Sequence, residues 1–411
     1  MRYRSNDKRR FSSRGESDDG GKMVKKIALL WATESLGIYS NKAFDTLFKG
    51  IGHNNGNLAF VYSIASQLEG NVKYLPWHTS PDVLNKYDAV VIPCANQFGK
   101  HTELSGLAKI FEKVEKPVVA IGLGAQADSF EADVEVADGT LAWVNAINAR
   151  RGGSGSNIYT RGPYTSRQLA RFGIEDSVVG GCPSHFIAQS ANLGRTIQKA
   201  WNTIKIPRAI SVAGGHQSWA KVRTIEQQLI AMMMDPACLG QYVVQSMGDM
   251  IRISRGAFDE IEPANLTKIH KHLVPHYTHD EFLAWCNNYA RSFYDVPAWM
   301  DSLRRYDLTI GPRYHGTQLA IQAGKMGVVV TIDSRTEELC SQTGVPYIPH
   351  EKLNGVPLTR AVLKTLFPFD GAAYDAFRQE RAQNYINFIE ANGLSVKPFM
   401  HKIAGDERAT S

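Results

Sequence analysis

The sequence predicts an α/β fold built from two Rossmann-like domains facing across a cleft, and two observations carry that expectation. Short apolar runs bounded by polar turns alternate with helical stretches, the pattern of right-handed βαβ units, and the alternation starts afresh near the middle of the chain. At 411 residues the chain also exceeds what one hydrophobic core usually organises. Two such domains in series leave a cleft between the carboxyl ends of their strands, where open α/β sheets bind ligands.

The first segment, residues 1–23, differs from the rest. Residues 1–26 hold nine Lys/Arg against four Asp/Glu, which leaves 37 against 36 for the remainder. The formal charge of +6 therefore belongs to one end, and a nucleic-acid partner is not expected. With Arg9, Arg10, Ser12, Ser13, Asp18, Asp19 and Gly20-Gly21, the segment lacks the apolar content to offset ordering entropy and is expected to be disordered. It reads as an inert extension before Met23 or, less readily, as an electrostatic anchor at a membrane surface. No apolar run reaches the roughly 20 residues of a spanning helix, and no signal peptide is visible. The expected location is the cytoplasm, with peripheral association at the inner face of the membrane left open.

Residues 24–190 read as the first domain. Lys26 to Trp31 is a short buried strand, Leu58 to Leu68 has helical periodicity, and further strands are expected at Ala89 to Ile92 and Pro117 to Gly122, with a helix around Leu104 to Val114 between them. Asn157 to Arg161 is another strand, followed by a helix opened by Pro163 and closed by Gly173. Residues 191–206 look looser and are taken as a linker. Residues 207–365 restart the pattern with strands at Arg208 to Ala213, Gln241 to Gln245, Leu308 to Ile310 and Gly327 to Ile332. Residues 366–411 hold a long packing helix, about Ala372 to Ala391, and a tail.

The most informative stretch is Thr309-Ile310-Gly311-Pro312-Arg313-Tyr314-His315-Gly316. An apolar strand leads into an arginine and a histidine at the start of a helix, where free backbone N–H groups and the helix dipole already favour an anion. An isolated Arg-x-His-Gly is more often a surface loop whose arginine pairs with an acid, and Arg161 alone could be a salt bridge at a strand end. Five scattered cysteines without a Cys-x-x-Cys pair read as reduced thiols. His270, His272, His276 and His279 match no standard zinc spacing, so no metal is expected. Thr278 and Glu281 read as a capping box. Two polar loops, at Gly50 to Asn57 with His53 and Asn55, and at Gly214 to Gln217 with His216, would lie at the cleft mouth as substrate-binding candidates.

These residues resemble the polysaccharide pyruvyl transferase family, enzymes that move the enolpyruvyl unit of phosphoenolpyruvate onto a sugar as a cyclic ketal. The resemblance covers most of residues 24–365. It rests on Val118 to Gln126, on Thr160-Arg161-Gly162-Pro163-Tyr164-Thr165-Ser166 with Leu169 and Gly173, and on Arg313-Tyr314-His315-Gly316 leading through Ala320 and Gly324 to Val328-Val329-Val330. It implies a glycosyltransferase-B-like fold, with the acceptor on the first domain and phosphoenolpyruvate on the second. It also implies a sugar or lipid-linked oligosaccharide acceptor and no cofactor. Donor-binding arginines then fall at Arg161 and Arg313 and the catalytic histidine at His315, with Tyr314 and Gly316 in the same substrate-binding motif.

The chemistry suits those residue types. Phosphoenolpyruvate carries a carboxylate and a phosphate, and arginine binds both through paired donors. Ketal formation protonates the enol methylene and releases phosphate, and each step moves a proton, a task for histidine. Two departures stand out. Many relatives carry an acidic residue where this chain has Gly162, and Gly181-Cys182-Pro183-Ser184-His185 replaces an Asp-Pro-Ala-like turn. Cys182 reads as a small buried turn residue, since ketal transfer needs no covalent enzyme intermediate. Two other readings stay in view. One is a nucleotide-sugar glycosyltransferase in which Asp333, Glu337 or Glu338 holds a ribose while Arg313 binds a diphosphate. The other is a catalytically idle carbohydrate-binding protein.

Overall fold

A computed structural model describes residues 25–31, 42–126 and 132–406; the basic segment 1–23 lies outside them. The strands are β1 (Lys26–Leu30), β2 (Leu68–Glu69), β3 (Asn71–Leu75), β4 (Ala89–Pro93), β5 (Val118–Leu123), β6 (Ile158–Thr160) and β7 (Val178–Val179), then β8 (Ala209–Ala213), β9 (Leu239–Val243), β10 (Ala290–Arg291), β11 (Leu308–Gly311), β12 (Met326–Thr331), β13 (Tyr347–Pro349) and β14 (Ser395–Val396). They form two six-stranded sheets, ordered β3-β1-β4-β5-β6-β7 and β10-β9-β8-β11-β12-β13. Every pairing within them is parallel. The chain direction across each sheet reverses beside the strand that begins it, at β1/β4 and at β8/β11. Such switch points open crevices at the carboxyl ends of the strands.

Burial on both faces explains why the central strands are near-continuous apolar runs. In the first sheet Ala28, Leu30, Val90, Ile92, Val118 and Ala120 face a core with Leu107, Phe111, Trp143 and Leu169. Their neighbours Ile27, Leu29, Val91, Val119 and Ile121 face a second core that continues without a break into the second domain. The two domains therefore share apolar packing rather than a tether alone.

The expected linker is ordered: Leu193–Thr203 is a helix with Leu193, Ile197 and Trp201 buried along one face. Those residues stand four apart, a helical period masked in the sequence by an unremarkable start at Asn192, whose side chain makes no cap hydrogen bond. The long helix Gly371–Ala391 packs back across the junction. Asp370 caps it by accepting from Ala372 and Ala373 N–H, and Tyr385 and Phe388 meet the ring of Tyr159 at centroid distances of 5.4 and 5.1 Å. The buried Arg378 guanidinium donates to the carbonyls of His185 and Ser190 at 3.0 and 2.7 Å and also to that of Ala188, so its desolvation is offset by three acceptors. Finally β14 pairs antiparallel with β2, returning the chain to the first domain. The capping box of Thr278 and Glu281 is formed. Among the described residues no helix is long and apolar enough to cross a membrane.

Candidate active site

The end of β11 meets the end of β8 at the switch point of the second sheet. Gly311 makes this possible, because a Cβ there would lie 2.3 Å from the Ala213 carbonyl oxygen and its φ is +152°. After Pro312, Arg313 occupies the N-cap position of the helix Tyr314–Gln322 in extended conformation. Its guanidinium donates to Ser246 Oγ, lies over the Trp219 ring at 4.3 Å and keeps a buried Nε without a partner among the described residues. Burial pulls this group down to about 10, with the nearby Tyr242 and Glu226 acting in the opposite sense. It remains a cation at neutral pH.

Glu226 organises the turn beside it. The buried carboxylate accepts from Gly215 N–H and Tyr242 O–H, both at 2.6 Å, and lies 2.9 Å from His272 Nε2. This fixes Gly214, Gly215 and His216 at the end of β8. His216 uses Nδ1 to accept from Ser218 N–H at 3.0 Å, while its buried Nε2 has no partner among the described residues. Burial and then the charge of Arg313 lower its pKa.

Arg161 follows β6 in the first domain. It donates through Nε to the Gly122 carbonyl at 3.0 Å, through Nη1 to Asn96 Oδ1 at 2.8 Å and through Nη2 to the Cys94 carbonyl at 3.5 Å. The guanidinium is thus held rigidly against the carboxyl ends of β4 and β5. Gly162 and Pro163 then open the helix Pro163–Ala170. Its Tyr164 N–H is accepted at 2.8 Å by Glu338 Oε1, a carboxyl reaching across from the second domain.

Between these groups lies a cavity of about 130 Å³, walled by Asn96, Arg161 and Thr165 of the first domain and by Trp219, Arg313, Tyr314, Asp333, Arg335 and Glu338 of the second. Among the described residues neither Arg161 nor Arg313 pairs with a carboxylate, unlike the salt-bridge alternatives the sequence leaves open. Arg335 pairs with Asp333 at 3.1 Å and donates to Gln126 Oε1 across the cleft at 2.8 Å. Three guanidinium groups around so small a space suit a compact polyanion.

His315 is the second residue of the helix Tyr314–Gln322 and lies beside the cavity rather than in its wall. Its ring is 5.7 Å from that of Phe60, and Nε2 is 3.6 Å from Cys182 Sγ. Burial, then the charge of Arg161, hold its pKa down to about 3. Burial pushes the Cys182 thiol up, so the contact joins a neutral thiol to a neutral imidazole, and Sγ also lies 3.1 Å from Ser184 Oγ. Gly316 backs onto Gln245, where a Cβ would come within 2.8 Å of Nε2.

Of the other candidates, His53 and Asn55 lie apart from the cavity. Tyr314 contributes to the wall, but its hydroxyl donates away from it, to Thr343 Oγ1 at 3.0 Å. Asn55 is fully buried between the domains: its N–H donates to the Gln245 carbonyl at 2.9 Å and its side chain to the Phe293 carbonyl at 3.0 Å. His53 is exposed, has a φ of 60° and stacks edge-on against Phe48 at 4.7 Å. Of the clustered histidines, His270 stacks on Phe282 and His272 is taken up by Glu226. Among the described residues no group of three or more His, Cys, Asp or Glu could hold a metal ion.

Sequence reasoning missed Asn96, Trp219 and Arg335, and considered Glu338 only as a ribose ligand. Arg335 and Glu338 stand three apart directly after a buried strand, so one helix face carrying both was the available signal.

A family model described as polysaccharide pyruvyl transferase matches residues 41–334. No curated protein matches the chain. Among solved structures, the UDP-GlcNAc 2-epimerase of Methanocaldococcus jannaschii is similar at 11% identity, over 88% of this chain and 99% of that one, with a TM-score of 0.40. The UDP-GlcNAc 2-epimerase of Neisseria meningitidis bound to UDP-GlcNAc is similar at 9% identity, over 88% and 100%, with a TM-score of 0.41.

Proposed function

The chain belongs to the polysaccharide pyruvyl transferase family, and from that premise we propose that it transfers the enolpyruvyl unit of phosphoenolpyruvate onto two hydroxyls of a sugar, forming a pyruvate ketal and releasing phosphate. The observation that carries the reading is the pair of arginines from two domains, Arg161 and Arg313, facing one small cavity and, among the described residues, without carboxylate partners. In this reading they clamp the donor across the cleft through its carboxylate and phosphate, with Arg335 adding a third positive group. The sugar enters from the first domain, free or lipid-linked, in the cytoplasm.

His315 carries the proton to the enol methylene. In the free protein its low pKa leaves it neutral. A bound polyanion offsets the Arg161 charge, the smaller of the two causes, and so shifts the pKa upward while the donor is present. Attack of the first hydroxyl on C2, loss of phosphate and closure by the second hydroxyl complete the ketal.

The test is phosphate release from phosphoenolpyruvate by the purified protein, with and without p-nitrophenyl hexosides that offer vicinal or 1,3-diols, beside thermal-shift scans of phosphoenolpyruvate and nucleotide sugars. Acceptor-dependent phosphate release is expected. Stabilisation by nucleotide sugars with none by phosphoenolpyruvate would replace this reading with glycosyl transfer.

A further inference from the structure

Pyruvyl transfer to a diol needs more than one proton carrier: two hydroxyl protons must leave the sugar, while one proton must reach the donor's C3 and another the departing phosphate. His315 can serve one pair of these transfers. The cavity wall contains few groups able to serve the other. Arg161, Arg313 and Arg335 are cations, and the Tyr314 hydroxyl is turned away to Thr343. Asp333 is spent on its own helix, where Oδ1 accepts from Thr336 N–H and Oγ1 at 2.7 and 2.6 Å and Oδ2 pairs with Arg335. Glu338 is different. Its Oε1 accepts from Tyr164 N–H, which anchors the side chain across the cleft, and its second oxygen makes no hydrogen bond among the described residues.

We propose that Glu338 is a second catalytic proton carrier, acting as base toward the first sugar hydroxyl and then as acid toward the leaving phosphate. The assignment rests on the pyruvyl-transfer reading above. As the first hydroxyl oxygen bonds to C2 of the donor, its proton passes to Glu338 while His315 protonates C3. In the second half, the bond from C2 to the bridging oxygen breaks and Glu338 returns its proton to that oxygen, which leaves with the phosphate. The second hydroxyl oxygen bonds to C2 and its proton restores His315. Both residues end as they began, and the two protons of the diol reside on the new methyl group and on phosphate.

Position and environment agree with this role. Helix Ser334–Ser341 presents Arg335 and Glu338 three residues apart to the same cavity, so the carboxyl stands beside a guanidinium suited to the phosphate that must be protonated. Burial raises the Glu338 pKa, with Tyr164 N–H and Arg167 opposing, and a carboxyl moved toward working pH exchanges protons more effectively. Gly162 leaves the room: a Cβ there would sit 2.2 Å from Glu338 Cδ.

The deciding experiment compares wild type with Glu338→Gln, Glu338→Ala and Glu338→Asp in acceptor-dependent phosphate release from phosphoenolpyruvate, using the same hexosides and following KM for the donor and the thermal midpoint. Gln preserves the acceptor for Tyr164 N–H, so the fold and donor KM should hold while kcat falls by roughly 10²–10⁴-fold. Added formate should restore turnover to Glu338→Ala in a concentration-dependent manner, and Asp should retain part of the activity. Wild-type turnover in Glu338→Gln, or a loss confined to donor KM without formate rescue, overturns the role and leaves an interdomain contact. A wild-type protein that releases no phosphate from phosphoenolpyruvate overturns the reading of the site itself, and this assignment with it.

Discussion

Cys182 Sγ lies 3.6 Å from His315 Nε2, although the two residues are 133 positions apart in the chain. The pair has the composition of a nucleophilic dyad but not its electrostatics. Burial raises the thiol pKa, only partly opposed by Arg161, and holds the imidazole near 3. Neither the thiolate nor the imidazolium is favoured, so the contact is a hydrogen bond between a neutral thiol and a neutral imidazole that holds the ring in place.

Cys182→Ala should therefore keep most of the turnover. Loss of one weak hydrogen bond costs about 0.5–1.5 kcal/mol at most, a few-fold to about tenfold in rate if all of it falls on the transition state. Phosphate release measures this directly, and a fall by several orders of magnitude would show that Cys182 does more than supply one weak hydrogen bond to His315.

His315→Ala should bind phosphoenolpyruvate with near wild-type affinity yet turn over roughly 10²–10⁴-fold more slowly. Calorimetric titration beside steady-state kinetics separates the two effects, and wild-type turnover would remove His315 as the proton carrier. The same residue makes a prediction for stability. Its folded pKa of about 3 lies below the ordinary histidine value of 6.5, so the unfolded chain binds its proton first as pH falls. Stability attributable to His315 is present above about pH 6.5 and is lost progressively toward pH 3. Urea midpoints across that range should fall less steeply for His315→Gln than for wild type.

Arg313→Ala and Arg161→Ala should act on donor binding. A charge-assisted hydrogen bond contributes about 1.5–3 kcal/mol, so each loss should raise the dissociation constant for phosphoenolpyruvate by roughly 10–150-fold. Arg313→Lys should recover little, since an ammonium cannot reproduce the planar fork that donates to Ser246 while lying over Trp219. Unchanged affinity in Arg313→Ala would place the donor elsewhere.

Asn55→Ala separates interdomain structure from substrate binding. The buried side chain donates to the Phe293 and Val244 carbonyls of the second domain, and leaving those acceptors unsatisfied costs about 1–3 kcal/mol. The thermal midpoint should drop, while the donor dissociation constant stays near wild type. A large affinity loss without destabilisation would restore Asn55 to the list of substrate ligands.

Much of this arrangement was legible in the chain, for identifiable reasons. Strands such as Ala89–Pro93 and Met326–Thr331 are buried on both faces, so their composition alone marks them. Edge strands were not marked: Asn71–Leu75 alternates exposed and half-buried residues before its buried last residue, and Ala290–Arg291 is two residues long. Arg313 and His315 stood out because a strand-to-helix junction is local in sequence. Glu338 meeting Tyr164, or Cys182 meeting His315, depends on how two domains are set against each other, and no local pattern encodes that. The loop at His53 and Asn55 shows the converse, since its polar residues announced a ligand site while the Asn55 side chain bonds across the domain junction and those of Asn54 and Asn57 bond within the loop itself.

Gly162→Ala tests the cross-cleft carboxyl without altering it. The glycine φ is −172°, extended backbone open to any residue, so alanine introduces no local strain. Its methyl group would nevertheless fall 2.2 Å from Glu338 Cδ, and the carboxyl, at the end of a flexible side chain, must move out of contact with Tyr164 N–H. If Glu338 takes part in proton transfer, Gly162→Ala should lower kcat for acceptor-dependent phosphate release and should do so no further in combination with Glu338→Gln, because both changes remove one function. Additive losses from the two substitutions would mean that residue 162 affects turnover by a route independent of Glu338.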